Sequence, residues 1–175
     1  MRSAALALFS LLLLAARGAP ILALTVSIAP AQESSAAEAE TPAPMDSVVS
    51  GCMGSFFDAG LIATDAACAS LRRAEWGGGA EVLGPAREGR VDYVVGIFVA
   101  WRPSAFKKDA WIPGSAEYRI LRVSDGELAA SGRLEGPADS ESVAAAAARN
   151  AESFGASLGA LCLAVFEARI PGGKP

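Results

Sequence analysis

Histidine is absent from this 175-residue chain. Its absence removes imidazole acid–base chemistry, Ser-His-Asp and Cys-His nucleophile activation, and histidine-containing zinc sites. Charged residues make up only 19%, and no acidic residue precedes Glu33. With Arg2 and Arg17 set aside in the apolar leader that carries them, 13 basic residues face 19 acidic ones, a net charge of −6. Such a domain lacks the electrostatic footprint that phosphate backbones and anionic surfaces attract, so nucleic acid is not an expected partner. The sequence also lacks G-x-x-x-x-G-K-[ST], G-x-G-x-x-G after a strand, H-E-x-x-H, G-x-S-x-G and C-x-x-C, the spacings that cradle phosphates, hold zinc or expose a nucleophile. Gly77-Gly78-Gly79 follows a helical pattern instead of opening one, which makes it a helix stop and not an anion cradle. The carboxylates Asp58, Asp65, Asp92 and Asp109 show no spacing typical of an acid–base pair. No catalytic residue, cofactor or metal set is therefore expected.

What the chain does contain is apolar. Hydrophobic residues make up 52%, enough for a real core in about 125 to 130 residues, the size of one domain. The first residues, Met1-Arg2-Ser3, carry one positive charge, and Ala4–Ala16 form an apolar run of signal-peptide length. A second apolar run, Ile21–Ala31, ends in Ala29-Pro30-Ala31, an A-x-A pattern. This places cleavage after Ala31, with the signal peptide at residues 1–31 and a mature start at Gln32. A cut after Gly18 is the second choice, and an uncleaved anchor over residues 4–29 is the alternative to both. The chain is expected to be exported to the periplasm or beyond the cell. Val49-Ser50-Gly51-Cys52 looks like a lipobox, displaced from the apolar core by the small, acidic, proline-bearing stretch 32–45, which reads as a flexible linker. Membrane contact is thus expected only through an uncleaved leader or an acylated Cys52.

From residue 46 to 170 the pattern predicts a single α/β (α+β) domain: a small mixed sheet with a β-hairpin, helices packed on it and a long C-terminal helix. A helix is predicted from Asp46 through Val48, Val49, Cys52, Met53, Phe56 and Phe57 until Gly60. A short strand follows at Leu61–Thr64. Asp65 caps a second predicted helix running through Cys68, Leu71 and Ala74 to the three glycines. Residues 80–90 are ambiguous between a short helix and a loop. Val91–Trp101, β-branched and aromatic with almost no polar alternation, predicts a central strand buried on both faces. Ala116–Val123 and Glu127–Leu134 predict a hairpin turning at Asp125-Gly126, with Ser124 opposite Glu127, Val123 beside Leu128 and Leu121 beside Ala130. The last helix starts at Ser140, and its Gly155 and Gly159 form a G-x-x-x-G pattern that in a soluble protein usually means close packing on a sheet or neighbouring helix. Residues 171–175 read as a disordered tail.

Cys52, Cys68 and Cys162 all fall on apolar faces of predicted helices. Buried thiols are one reading, and one disulfide with a thiol left over is the other in an oxidising compartment. Recognition is assigned to the connection 102–115, which with Trp101 collects Trp101, Arg102, Phe106, Lys107, Lys108 and Trp111, aromatic and cationic residues suited to contact surfaces.

The order Phe56-Phe57-Asp58-Ala59-Gly60, strand 61–64, Asp92-Tyr93-Val94-Val95, the Tyr118–Leu134 hairpin and a long terminal helix resembles a small periplasmic α/β domain. That domain is found in penicillin-binding-protein activator lipoproteins, in the curli-secretion lipoprotein and at the amino terminus of TolB. Those families begin with an apolar strand before the first helix, which Thr41–Asp46 does not supply. The resemblance implies a noncatalytic envelope accessory or assembly protein that works by binding another protein. A small-ligand carrier or a carboxylate-based hydrolase is the rival, favoured by an apolar pocket with convergent polar groups.

Overall fold

The structure, a computed structural model, describes residues 24–33, 36 and 43–169. The leader to residue 23, most of the expected linker and the 171–175 tail lie outside the described residues. Six strands form one mixed sheet in the order β2-β1-β4-β5-β6, with β3 beside the second half of β1. The strands are β1 (Thr25–Glu33), β2 (Ile62–Asp65), β3 (Ala69–Leu71), β4 (Tyr93–Pro103), β5 (Trp111–Arg122) and β6 (Leu128–Glu135). The helices are α1 (Met45–Asp58), α2 (Leu83–Glu88), α3 (Glu141–Ala145) and α4 (Ala147–Arg169). This is the α/β class with hairpin and long terminal helix that the sequence pattern predicts.

The start of the domain is corrected. Residues 25–33, expected as the end of a signal peptide and the first linker residues, form β1 in the interior of the sheet. It runs parallel to β2 and β3 on one side and to β4 on the other. Val26, Ile28, Ala29 and Ala31 are buried, so a chain starting at Gln32 would lack most of an interior strand. Ala36 and Ala43, from the expected linker, also enter the core. β1 is the apolar strand before the first helix, further upstream than Thr41–Asp46.

β4 is buried on both faces, as its composition predicts. Val95, Ile97, Val99 and Trp101 face α1 and α4, while Val94 and Phe98 face α2 and the loops beneath. The two long helices cross closely because three glycines remove side chains from the contact: a Cβ at Gly51, Gly155 or Gly159 would fall within 3 Å of backbone or side-chain atoms of the opposite helix. The G-x-x-x-G pattern thus packs on a neighbouring helix. Ser140 caps α3, its hydroxyl accepting from the Val143 amide at 3.2 Å. The terminal helix breaks at Ala146, where the Asn150 side-chain amide donates to the carbonyls of Val143 and Ala146, both at 3.1 Å.

Other local expectations shift. Residues 65–74 do not form a helix: Ala69–Leu71 pair in parallel with Ala31–Glu33 of β1, and Arg73–Glu75 make a single 3-10 turn. The three glycines do not stop a helix either. Gly78 and Gly79, at φ 72° and 87°, cross the sheet against Gly96, where a Cβ would collide. The β5–β6 register shifts from the expected one, with Ile120 opposite Ala130 and Leu121 opposite Leu128 across a bulge. Gly126 at φ 74° lets the turn close with the Arg122 amide bonded to the Glu127 carbonyl at 2.9 Å, a longer connection than the two-residue loop expected.

Candidate functional site

The connection after Trp101 is mostly strand. Trp101 pairs with Pro113, Arg102 with Ile112 and Pro103 with Trp111, so the free loop is only Ser104–Ala110, the tip of the β4–β5 hairpin. The six residues expected to share a recognition loop therefore separate. Trp101 is buried in the main core and Trp111 packs partly buried against it. Their apolar area is spent on packing because strand alternation turns both indoles inward. Arg102 is exposed and donates to the Pro137 carbonyl. Phe106, Lys107 and Lys108 remain together at the tip, with Phe106 59% exposed.

The tip is held in shape. Asp139, just before α3, accepts from the Ser104 hydroxyl at 3.0 Å and the Ala105 amide at 2.8 Å. The same hydroxyl oxygen accepts from the Phe106 amide at 3.1 Å. The Ser104 amide closes the loop by donating to the Ala110 carbonyl at 2.8 Å. Asp109 turns the chain at φ 60°, a conformation that Asp tolerates better than most residues. An exposed phenyl ring with two lysines thus stands on an ordered loop. Sequence reasoning misses Asp139, whose helix-entry position reads as ordinary loop chemistry.

Open clefts lie elsewhere: one of about 250 Å³, lined by Leu134, Glu135, Asn150 and Phe154 among others, and two larger ones. One, of about 430 Å³, runs along the outer face of α1 and is lined by Asp46, Val49, Ser50, Met53, Gly54, Phe57 and Asp65. The other, of about 510 Å³, lies beside Leu24 at the opposite end of the sheet from the tip, and Arg87, Arg90, Asp92 and Arg122 are among the residues that line it. The Asp92 carboxylate accepts from the Thr25 amide and hydroxyl at 2.8 and 2.7 Å. Asp58 ends α1 and Asp65 ends β2, so the four candidate carboxylates sit on separate elements. Among the described residues no three His, Cys, Asp or Glu side chains gather as a metal site.

All three cysteines are free. Cys52 and Cys162 are buried, and burial pushes the Cys162 thiol up to about 12. Cys52 is raised further, by burial and then by Cys162. The expectation for Cys68 is corrected: with no helix to bury it, it is exposed. Burial, then the Asp46 charge, still raises its thiol to about 11. The lipobox reading also fails, because Cys52 lies inside a core helix and acylation there would discard β1 and half of α1.

No protein-family model matches the chain, and no curated protein matches it. Solved structures do. A point variant of the PelC dodecamer from Paraburkholderia phytofirmans shares 19% identity over 79% of this chain and 89% of its own, at a TM-score of 0.51. Lipoprotein GNA1162 from Neisseria meningitidis shares 13% over 83% of this chain and 96% of its own, at 0.42. TolB from Acinetobacter baumannii shares 14% over 88% of this chain and 30% of its own, at 0.46. TolB is among the proteins the sequence resembles. At these identities the likeness is one of fold.

Proposed function

We propose that this chain is an exported, noncatalytic accessory domain of the cell envelope that binds protein through the Ser104–Ala110 tip. The observation that carries the reading is Phe106, 59% exposed on a loop that Asp139 fixes. Leaving a phenyl ring in water forfeits burial energy, and fixing it beforehand lowers the entropy lost on docking. The apolar leader and the resemblance to envelope domains support the address, and the pairing of β1 in the sheet supports a cleavage upstream of Leu24, such as the cut after Gly18.

A photo-crosslinking residue at position 106, in cells, tests this. A discrete protein adduct is expected from position 106, and none from position 128, whose leucine is comparably exposed at the far end of the sheet. Equal labelling from both positions would remove the tip from the account.

A further inference from the structure

α1 leaves one large apolar side chain outside its own core. Val48, Val49, Cys52 and Phe56 enter the core and Met53 packs against it, as one face of an amphipathic helix should. Phe57, four residues on from Met53, is left 51% exposed. It lines the 430 Å³ groove together with Val49 and Met53. A Cβ at Gly54 would meet nothing within 4 Å, so the groove is open at its middle. Asp46 and Asp65 stand on its rim, and among the described residues neither forms an ion pair.

The tip has the opposite character. Phe106 is apolar, Lys107 and Lys108 are cationic and exposed, and among the described residues neither lysine forms an ion pair. One phenyl ring and two positive charges match a groove with an apolar floor and two negative charges on its rim.

We infer that the tip's partner is a second copy of this chain: Phe106 of one protomer seats on Val49, Met53 and Phe57 of the next, with Lys107 and Lys108 beside Asp46 and Asp65. This inference rests on the tip being the recognition element. Tip and groove are different surfaces, so the contact is heterologous. Each protomer offers one of each, and repetition yields a ring or an open filament, never a closed two-fold pair. The groove admits a tip that is already rigid, so little order is lost on contact.

Sedimentation of the full chain purified from cells, in mild detergent, tests the inference with Phe106→Asp and Phe57→Asp. Both positions are exposed, and circular dichroism should show the fold unchanged. The wild type is expected to pass beyond dimers as concentration rises, and each variant to weaken association tenfold or more, the scale of an interface hot spot. An equimolar mixture of the two variants should stop at dimers, since one intact tip and one intact groove remain per pair. Lys107→Glu and Lys108→Glu combined in one chain with Asp46→Lys and Asp65→Lys should restore assembly that either pair of reversals alone removes. A wild type that stays monomeric, or assembly unaffected by Phe57→Asp, overturns the inference. If the wild type is monomeric while position 106 still crosslinks a different protein, the tip reading stands and self-association falls. If Phe106→Asp leaves assembly unchanged and position 106 crosslinks no protein, both fall.

Discussion

The Ser104 hydroxyl donates to the Asp139 carboxylate at 3.0 Å, joining the tip of one hairpin to the entrance of α3, 35 residues along the chain. A charged acceptor that also takes the Ala105 amide contributes about 1.5–3 kcal/mol per bond when shielded, and less at this partly exposed site. Asp139→Ala should therefore cost about 1 kcal/mol of global stability but speed hydrogen exchange at Ala105 and Phe106 far more. Amide exchange read by NMR checks this, and uniform acceleration across the sheet would show that Asp139 serves the whole fold.

The α1–α4 crossing makes a sharper stability prediction. Gly155→Val puts a branched side chain against the Val48 backbone, where a Cβ alone already collides, so a loss of about 3 kcal/mol or more is expected. Gly54→Ala, on the same pair of helices but facing open space, should gain about 0.5–1 kcal/mol. Urea midpoints for the two variants should move in opposite directions.

The buried thiols set a pH dependence. Their folded pKa values lie above the unfolded ones, with Cys162 near 12 and Cys52 raised by burial and by Cys162. Below the unfolded thiol pKa of about 8.5 both states hold the proton and stability is flat. Above it the unfolded chain loses protons that the folded chain keeps, so stability falls by up to about 1.4 kcal/mol per pH unit per thiol until the folded pKa is reached. Cys162→Ala should make the alkaline slope shallower. Urea titrations at pH 7, 9 and 10 measure it, and three reactive thiols are expected in denaturant without reductant.

Chain truncation separates the two cleavage readings. A chain beginning at Ala19 should fold, and one beginning at Gln32 should not, since it lacks Val26, Ile28, Ala29 and Ala31. Far-UV circular dichroism of both, with the intact mass of the species isolated from cells, decides where the mature chain starts.

What is legible in the sequence follows from how local each signal is. The dense β-branched run at Val94–Val99 and the glycine spacing in α4 each report a nearby environment, and the structure agrees with both. β1 escapes such a reading because a buried interior strand and a signal-peptide core share one hydropathy. Pro30 also argues against a central strand. It is accommodated because β2 pairs with β1 only as far as Ile28 and β3 resumes at Ala31, so Pro30 sits in the gap between them. The helix expected at 65–74 gives way to parallel pairing with β1, a partner more than 30 residues distant that no local pattern announces. The α1 groove has one visible sign: of the adjacent Phe56 and Phe57, a single helix face can bury only one.

β4 runs unbroken from Tyr93, beside Leu24, to Pro103, at the base of the tip. Eleven residues of strand span about 36 Å, and its pairing with β1 and β5 over most of that length makes it a stiff strut. Leu24 and the phenyl ring at Phe106 are thereby held at opposite ends of one rigid sheet. If the tip makes contact as proposed, the length of β4 sets how far that contact lies from Leu24.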